Sequence, residues 1–411
     1  MTSSQPGDGG ALGTAGQQLL LCVALFGAAY AANTVAPLLV FYTEDLHLTT
    51  TTLTWFFTAY AVGLMVAFLF IGALSDKLGR KVVVLPSAAL LVVAVLALLG
   101  AAALGPPLIL IGRFIQGFAG GAVYAVGTVW LRELAGTEHA ASAAMRATAS
   151  MAAGFGVGPL IGGVLVQWLP DPKILLLLIA VVTTSIAVMI VLRLPETMTQ
   201  RRSGAIPFGL PPHTGLGFLY YLAPCALLVY TFVMLAMIAF PVQLDHAGFK
   251  QVYFIQGVSL LLVLGMATVA TRWARRLGGA TAGWVAGICG AIGCGLGYLA
   301  VQPHNWPWIL PASVIIGIGS GMSITSGVMV SDELAPAASR GQLLSMFYIV
   351  AYIGFSSPTL LSLAFGRHTM DHGSTILGLG VAALIITAIL AGPGRALVRR
   401  RGLQSAPSNS A

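Results

Sequence analysis

Charge is what this sequence has least of. Asp, Glu, Lys and Arg together make up 8% of its 411 residues, against roughly a quarter in a soluble domain. That shortage excludes a water-soluble globule. Acidic residues are the scarcer kind, 12 against 20 basic ones, and none sits in the middle of an apolar run. Cysteine is sparse too: Cys22, Cys225, Cys289 and Cys294 all lie inside apolar runs, so neither a disulfide framework nor metal-ligand spacing is visible. No H-E-x-x-H, G-x-S-x-G or cysteine–histidine set falls on the apolar runs, which argues against a membrane enzyme and leaves no catalytic or metal residues to name. The absence of G-x-x-x-x-G-K-[ST] excludes an ATP-driven pump as a single chain. Residues 1–17 hold no Lys or Arg, so the positive start of a cleavable signal is lacking and a disordered tail is expected. Five of the seven histidines (His47, His246, His304, His368, His372) fall in loops, where they are expected to be solvated.

What the chain has instead is apolar length. It is 57% hydrophobic, with a mean hydropathy of +0.92. Apolar runs occupy residues 18–40, 53–72, 82–104, 107–131, 142–168, 173–193, 217–241, 251–271, 281–301, 307–330, 342–364 and 374–392. At about 1.5 Å of rise per residue, roughly 20 residues cross the ~30 Å hydrocarbon layer as a helix. The runs are too long for strands and lack period-2 alternation, so a barrel is disfavoured. The predicted fold class is an all-α integral membrane protein of twelve transmembrane helices.

The formal charge of +8 does not mark a nucleic-acid binder, because the cations alternate by side. One side collects Lys77, Arg80, Lys81, Arg132, Arg146, Arg193, Arg201, Arg202, Arg272, Arg275, Arg276, Arg340, Arg395 and Arg399 to Arg401; the other has Lys173, Lys250 and Arg367. This positive-inside pattern places both termini and the loop from Pro195 to Gly215 in the cytoplasm. Arg113 alone stays inside a run. Arginine outnumbers lysine amid abundant Ala and Gly, as in a GC-rich bacterial genome. The expected organisation is a tail (1–17), a six-helix bundle (18–193), a cytoplasmic linker (194–216), a second six-helix bundle (217–392) and a basic cytoplasmic tail (393–411). An internal repeat supports the division. Pro107, Gly117 and Gly121 meet Pro307, Gly317 and Gly321, and Arg132-Glu133-Leu134-Ala135 meets Asp332-Glu333-Leu334-Ala335. One residue off that register, Pro159 meets Pro358 and Leu78-Gly79 meets Leu277-Gly278.

Between the second and third runs lies a polar knot, Gly72 to Lys81, reading G-A-L-S-D-K-L-G-R-K. On its own chemistry it is either a topology-setting loop or a latch. Asp76, at a helix end, is placed to face the positive N-terminus of another helix or an arginine, and Gly72 and Gly79 permit close backbone approach. In the fourth run, Arg113, Gln116, Gly117, Gly120 and Tyr124 share one helical face. A charge at membrane depth either faces a cavity or snorkels to the interface. In the fifth run, Gly154, Gly158, Pro159, Gly162 and Gly163 permit a kink and close packing.

These segments together resemble the major facilitator superfamily of secondary transporters. The knot is similar to that family's loop between helices 2 and 3, the fourth run to its arginine-containing helix-4 motif, and Gly158-Pro159-x-x-Gly162-Gly163 to the helix-5 motif of its drug–proton antiporters. Ala36-Pro37-Leu38-Leu39 and Leu194-Pro195-Glu196-Thr197 add to the resemblance, which spans essentially the whole chain. Met145 departs from the antiporter pattern, where a further glycine is usual. The second half has no counterpart of Asp76, its loop reading Arg272, Arg275, Arg276, Leu277, Gly278. The resemblance implies two pseudo-symmetric bundles with a substrate site between them near the midplane. It also implies a cytoplasmic gate of Gly72, Asp76, Gly79, Arg80, Lys81 and Glu133, with helix 11, beginning near Gly341, approaching Gly72.

Polar and soft groups on the apolar runs nominate a substrate cavity: Tyr30, Asn33, Tyr124, Tyr230, Met234, Gln256, Ser320, Ser323, Tyr348 and Tyr352, with Met237, Ser313 and Phe355 nearby. Met and aromatic surfaces repack around varied apolar ligands, although such stripes also serve packing or face lipid. The function expected is export of small amphipathic or hydrophobic compounds across a bacterial inner membrane by alternating access, in exchange for protons. Proton coupling comes from the resemblance, since Asp76, Glu133, Glu44 and Asp45 are the available carboxylates and all lie near a surface. The expected partners are a small-molecule substrate, protons and the lipid bilayer. No nucleic acid and no cofactor beyond the proton gradient is expected, and the protein is expected to be a monomer. A sugar or metabolite exporter, an importer of an anionic metabolite bound by Arg113, and a non-transporting receptor remain as alternatives.

Overall fold

The computed structural model describes residues 14–45, 48–198, 209–302, 305–336, 339–357, 360 and 374–398, and among them every regular element is helical. In chain order these are α1 (Thr14–Thr34), α2 (Ala36–Asp45), α3 (Thr50–Leu78), α4 (Arg80–Leu104), α5 (Pro106–Trp168) and α6 (Pro172–Arg193). After them come α7 (Gly215–His246), α8 (Val252–Leu277), α9 (Gly279–Ala300), α10 (Ile309–Leu334), α11 (Arg340–Phe355) and α12 (Ser374–Ile389). Ten helices among the described residues are long and apolar enough to cross a membrane.

Sequence breaks explain the difference from twelve separate runs. The first run is one span interrupted at Val35, because Pro37 cannot donate an amide to the preceding turn. The fourth and fifth runs join into the 63-residue α5, kinked at Gly136 (φ 75°, ψ 169°), where the backbone leaves the helical region. α7 contains two π-helical turns, Phe218–Leu222 and Leu235–Ala239. α11 is described for 16 residues, short of a full crossing. Pro358, Arg367, four of the loop histidines (His47, His304, His368, His372), residues 1–13, residues 199–208 of the linker and the C-terminal arginines from Arg399 onward lie outside the described residues.

The helices up to α6 pack chiefly on one another, α1 on α5 and α6, and α3 and α4 on α5. Those from α7 onward do likewise, α10 against α7, α8 and α9, and α9 against α12. Across this division α8 lies along α5, and α11 touches α3. Close helix approach in a bilayer relies on small residues, since lipid is as apolar as a leucine side chain. The glycines that provide it repeat. A methyl group on Gly121 would strike Ala67, and one on Gly321 would strike Ala267. Gly154 lies against Phe26 to Tyr30 of α1, and Gly354 against Leu227 and Thr231 of α7. In the first pair glycine and partner shift together by the 200-residue offset read from the sequence; in the second the glycine keeps that offset and its partners lie one residue off it.

Candidate functional site

Two constellations stand out, an ion-pair cluster at one end of the helices and a column of aromatic rings at mid-depth. The cluster begins at the α3–α4 turn, which needs glycine: Gly79 has φ +120°, and a methyl group there would meet the Glu196 carboxylate. The turn sets Arg80 facing back. Its guanidinium pairs with Asp76 one turn earlier, reaches the Glu133 carboxylate on α5 at 2.8 Å and donates to Ser75 Oγ at 2.7 Å. Thr197 Oγ1 also donates to Glu133.

Leu194-Pro195-Glu196-Thr197, where α6 ends, is the strap that completes the cluster. The Glu196 carboxylate accepts from the backbone N–H groups of Arg80 (3.0 Å), Lys81 (2.9 Å), Thr197 (3.0 Å) and Met198 (3.1 Å). It therefore caps α4, whose first amides have no intrahelical partner. Burial tends to raise the Glu196 pKa, but these four donors outweigh it and hold it below the ordinary carboxylate value. Lys81 Nζ returns the favour to α6, donating to the carbonyls of Leu192 and Leu194 at 2.8 Å each, as a cation at a helix C-terminus should. Trp130 Nε1 donates to Pro195 O at 3.1 Å.

The expected approach of α11 to Gly72 is not made. A methyl group on Gly72 or on Gly341 would meet nothing within 4 Å. Among the described residues no hydrogen bond or ion pair joins Asp76 to α11; Arg80 occupies it instead. In the second half Arg340 lies 3.9 Å from Asp332. Gly278 there repeats the positive φ of Gly79 at +82°, with nothing against it. Among the described residues the repeat keeps the turn and shows no side-chain cap.

Arg113 neither lines an open cavity nor reaches the interface. It is 0% exposed. Its guanidinium donates to Ala32 O of α1 at 3.0 Å, to Phe56 O of α3 at 3.4 Å and to Gln116 Oε1, and stands 4.4 Å from the centre of the Tyr60 ring. Nη2 has no hydrogen-bond partner. Gln116 Nε2 donates to Ala31 O at 2.9 Å, and Gly117 lets α3 pass close at Tyr60. These groups tie α1, α3 and α5 together.

The proposed cavity residues divide. Several satisfy backbone carbonyls of a neighbouring helix: Asn33 that of Phe155 (3.4 Å), Tyr124 that of Ala28 (3.1 Å), Gln256 that of Met237 (2.7 Å), Ser320 that of Val229 (2.8 Å) and Ser323 that of Cys225 (2.6 Å). Tyr30 and Met234 are buried in the core. Tyr230, Tyr348 and Tyr352 do converge. Tyr230 stacks on Tyr352 at 4.7 Å with their hydroxyls 3.2 Å apart, and Phe68 of α3 stacks on Tyr352 at 5.7 Å. The column thus joins α3 to α7 and α11.

Sequence reading passed over Phe68, Tyr60 and Gly354. The last had a visible signal, since it stands at the repeat offset from Gly154. It also missed a cavity of about 320 Å³ between α7, α11 and α12, whose apolar wall includes Leu228, Thr231, Phe232, Ile353 and Ala383.

The glycine motif of α5 works on two neighbours. Gly154, Gly158 and Gly162 lie against α1 between Phe26 and Thr34, while Gly163 lies against the Tyr253 carbonyl of α8. Pro159 O faces Gly257. Further out, Gln167 Nε2 donates to Lys250 O at 2.9 Å and Trp168 packs on Phe254. At the end opposite the ion-pair cluster, α5 and α8 are in direct contact.

Helices that cross a membrane many times, held by small-residue contacts and ending in a charged cluster, define a multi-pass membrane protein of the carrier type. The Major Facilitator Superfamily profile matches residues 21–359, and the chain belongs to that superfamily of transporters. Over 77 residues it is 39% identical to the multidrug resistance protein MdtL of Escherichia coli (strain K12 / DH10B) and of Shigella boydii serotype 18. That match covers 19% of this chain and 19% of each relative. Among solved structures, a POT family transporter in complex with 5-aminolevulinic acid superposes with a TM-score of 0.72 at 14% identity, over 91% of this chain and 95% of that one. A POT family transporter in complex with a thioalcohol-conjugated peptide gives the same values. At that identity the likeness is one of fold.

Proposed function

We propose that this transporter exports small amphipathic or hydrophobic compounds, drugs or natural products, across a bacterial inner membrane in exchange for protons. In this reading twelve spans form two six-helix bundles with both termini in the cytoplasm, and the bundles rock about a site between them. The observation that carries it is the α5–α8 contact. Gly163 and Pro159 of the antiporter-like motif meet Tyr253 and Gly257 backbone to backbone, a seam that only small residues allow and that can part as a unit. The short match to a multidrug resistance protein favours efflux. Asp76, Arg80 and Glu133 form the gate at the opposite end. Asp76→Asn is expected to lower flux with expression intact, and wild-type flux in that variant would remove the gate reading.

The test is efflux from everted vesicles over a compound panel, with and without an imposed pH gradient. Transport of hydrophobic compounds that collapses with a protonophore supports the proposal. The unpartnered Nη2 of Arg113 favours one second reading, import of an anionic metabolite. Uptake of anions in the inward direction with no efflux of the panel would establish it instead.

A further inference from the structure

The substrate's charge is legible in what surrounds the aromatic column. The column runs from Tyr60 and Phe68 on α3 through Tyr230 on α7 to Tyr348, Tyr352 and Phe355 on α11. Tyr60 lies 6.1 Å from Phe355, and Phe355 lies 5.9 Å from Tyr230. These rings meet across the division between the early and late helices. When α3 and α11 part, flat aromatic faces lose their partners, and a planar aromatic solute can replace the lost stacking.

Aromatic faces by themselves favour cations, so the neighbouring charges decide. Asp76, Arg80, Glu133, Glu333, Asp332, Arg340 and the Arg272 to Arg276 group lie at the cluster end of the helices, and Asp171, Lys173, Asp245 and Lys250 at the other. Arg146 is exposed toward the cluster end. Between the ends, the one Asp, Glu, Lys or Arg among the described residues is Arg113. Its hydrogen bonds go to carbonyls and to Gln116, all neutral, so no described residue cancels its positive charge. It already occupies the face of Tyr60 at 4.4 Å, and Tyr60 is the ring that hands on to Phe355. A unit charge on the order of 10 Å from a second one, at an effective dielectric of ~20, changes affinity roughly tenfold.

We infer that the column accepts aromatic compounds carrying no positive charge, neutral or anionic, and rejects lipophilic cations. This rests on the transport reading above, taking the column as the wall of the site between the bundles.

The test uses the full-length protein in proteoliposomes and three probes on one ring system: 2-naphthamide, 2-naphthoate and 2-naphthylmethyl-trimethylammonium. Equilibrium binding above empty liposomes is expected for the first two and at least about tenfold weaker for the third. Arg113→Gln should narrow that gap and Arg113→Lys should keep it. Should Arg113→Gln fail to fold, Phe355→Leu provides the second arm, weakening the neutral and anionic probes alike. Equal or tighter binding of the cation by the wild type overturns the inference, and so does no binding of any probe. The two readings fail separately. Proton-driven efflux with cation preference would sink only the charge assignment. The expected probe order without any flux would sink only the transport function.

Discussion

At the scale of single residues, two glycines in one ten-residue knot have opposite meanings. Gly79 holds φ +120° with a carboxylate where a side chain would begin, whereas Gly72 sits in regular helix facing open space. Gly72→Ala is therefore expected to be neutral or to stabilise by about 0.5–1 kcal/mol, as alanine replaces glycine inside a helix. Gly79→Ala should cost about 1–3 kcal/mol through backbone strain. Thermal unfolding in detergent would check both, and equal effects would refute the distinction. Glu196 gives a pH prediction. Its pKa is depressed in the folded protein by four backbone donors, so the unfolded chain binds the extra proton as the solution is acidified. The cap's contribution is then complete above the ordinary carboxylate pKa of about 4.3 and is lost as pH falls through the lower folded value. The Tm gap between wild type and Glu196→Gln should be widest at neutral pH and close in acid. A gap that holds constant with pH would show the cap to be inert.

At the scale of elements, hydropathy made most helices visible, because each run is long enough to cross a bilayer and carries almost no charge. The joints were less visible. Pro37 breaks the first span and Gly136 bends α5, yet nothing in composition marks the π-helical turn Leu235–Ala239 of α7, whose residues read as ordinary apolar helix. The Asp76–Arg80–Glu133 part of the cluster was named from the family resemblance. Its Glu196 cap was not, since the carboxylate arrives from more than a hundred residues away and only the fold supplies the meeting. Arg113 defeated the reading for a related reason: a buried cation can be held by backbone carbonyls, which every sequence has and no motif records. The paired glycines make the element-level prediction. Gly154→Ala and Gly354→Ala place a methyl group against the equivalent turn of α1 and of α7, so each should destabilise by about 1–3 kcal/mol through overpacking. Unfolding of the two variants side by side would check this, and a large effect in one half with none in the other would show that the repeat is sequence residue without structural consequence.

At the scale of the whole molecule, the contacts are asymmetric from end to end. At one end α5 and α8 are joined across the division by Gly163 and Tyr253, by Gln167 and Lys250, and by the Trp168–Phe254 ring contact. At the other, each ion pair among the described residues stays within its own half, and Gly72 and Gly341 face open space. The only ring contacts that bring α3 to α11 among the described residues are those of the aromatic column at mid-depth. Such an arrangement has one seam closed and, among the described residues, one end without a clasp across the division, and a rocking carrier must break the first to complete a cycle. Linking Gln167→Cys to Lys250→Cys with a short bifunctional maleimide should hold α5 against α8 and stop turnover, while leaving binding of 2-naphthamide from the cluster end within about twofold of the unlinked protein. Those positions also carry a control, since the double variant before linking should transport normally. Undiminished flux after complete linking would mean that the α5–α8 seam does not open during transport. The outer gate would then have to be sought elsewhere, with α2 against α8 a further contact across the division.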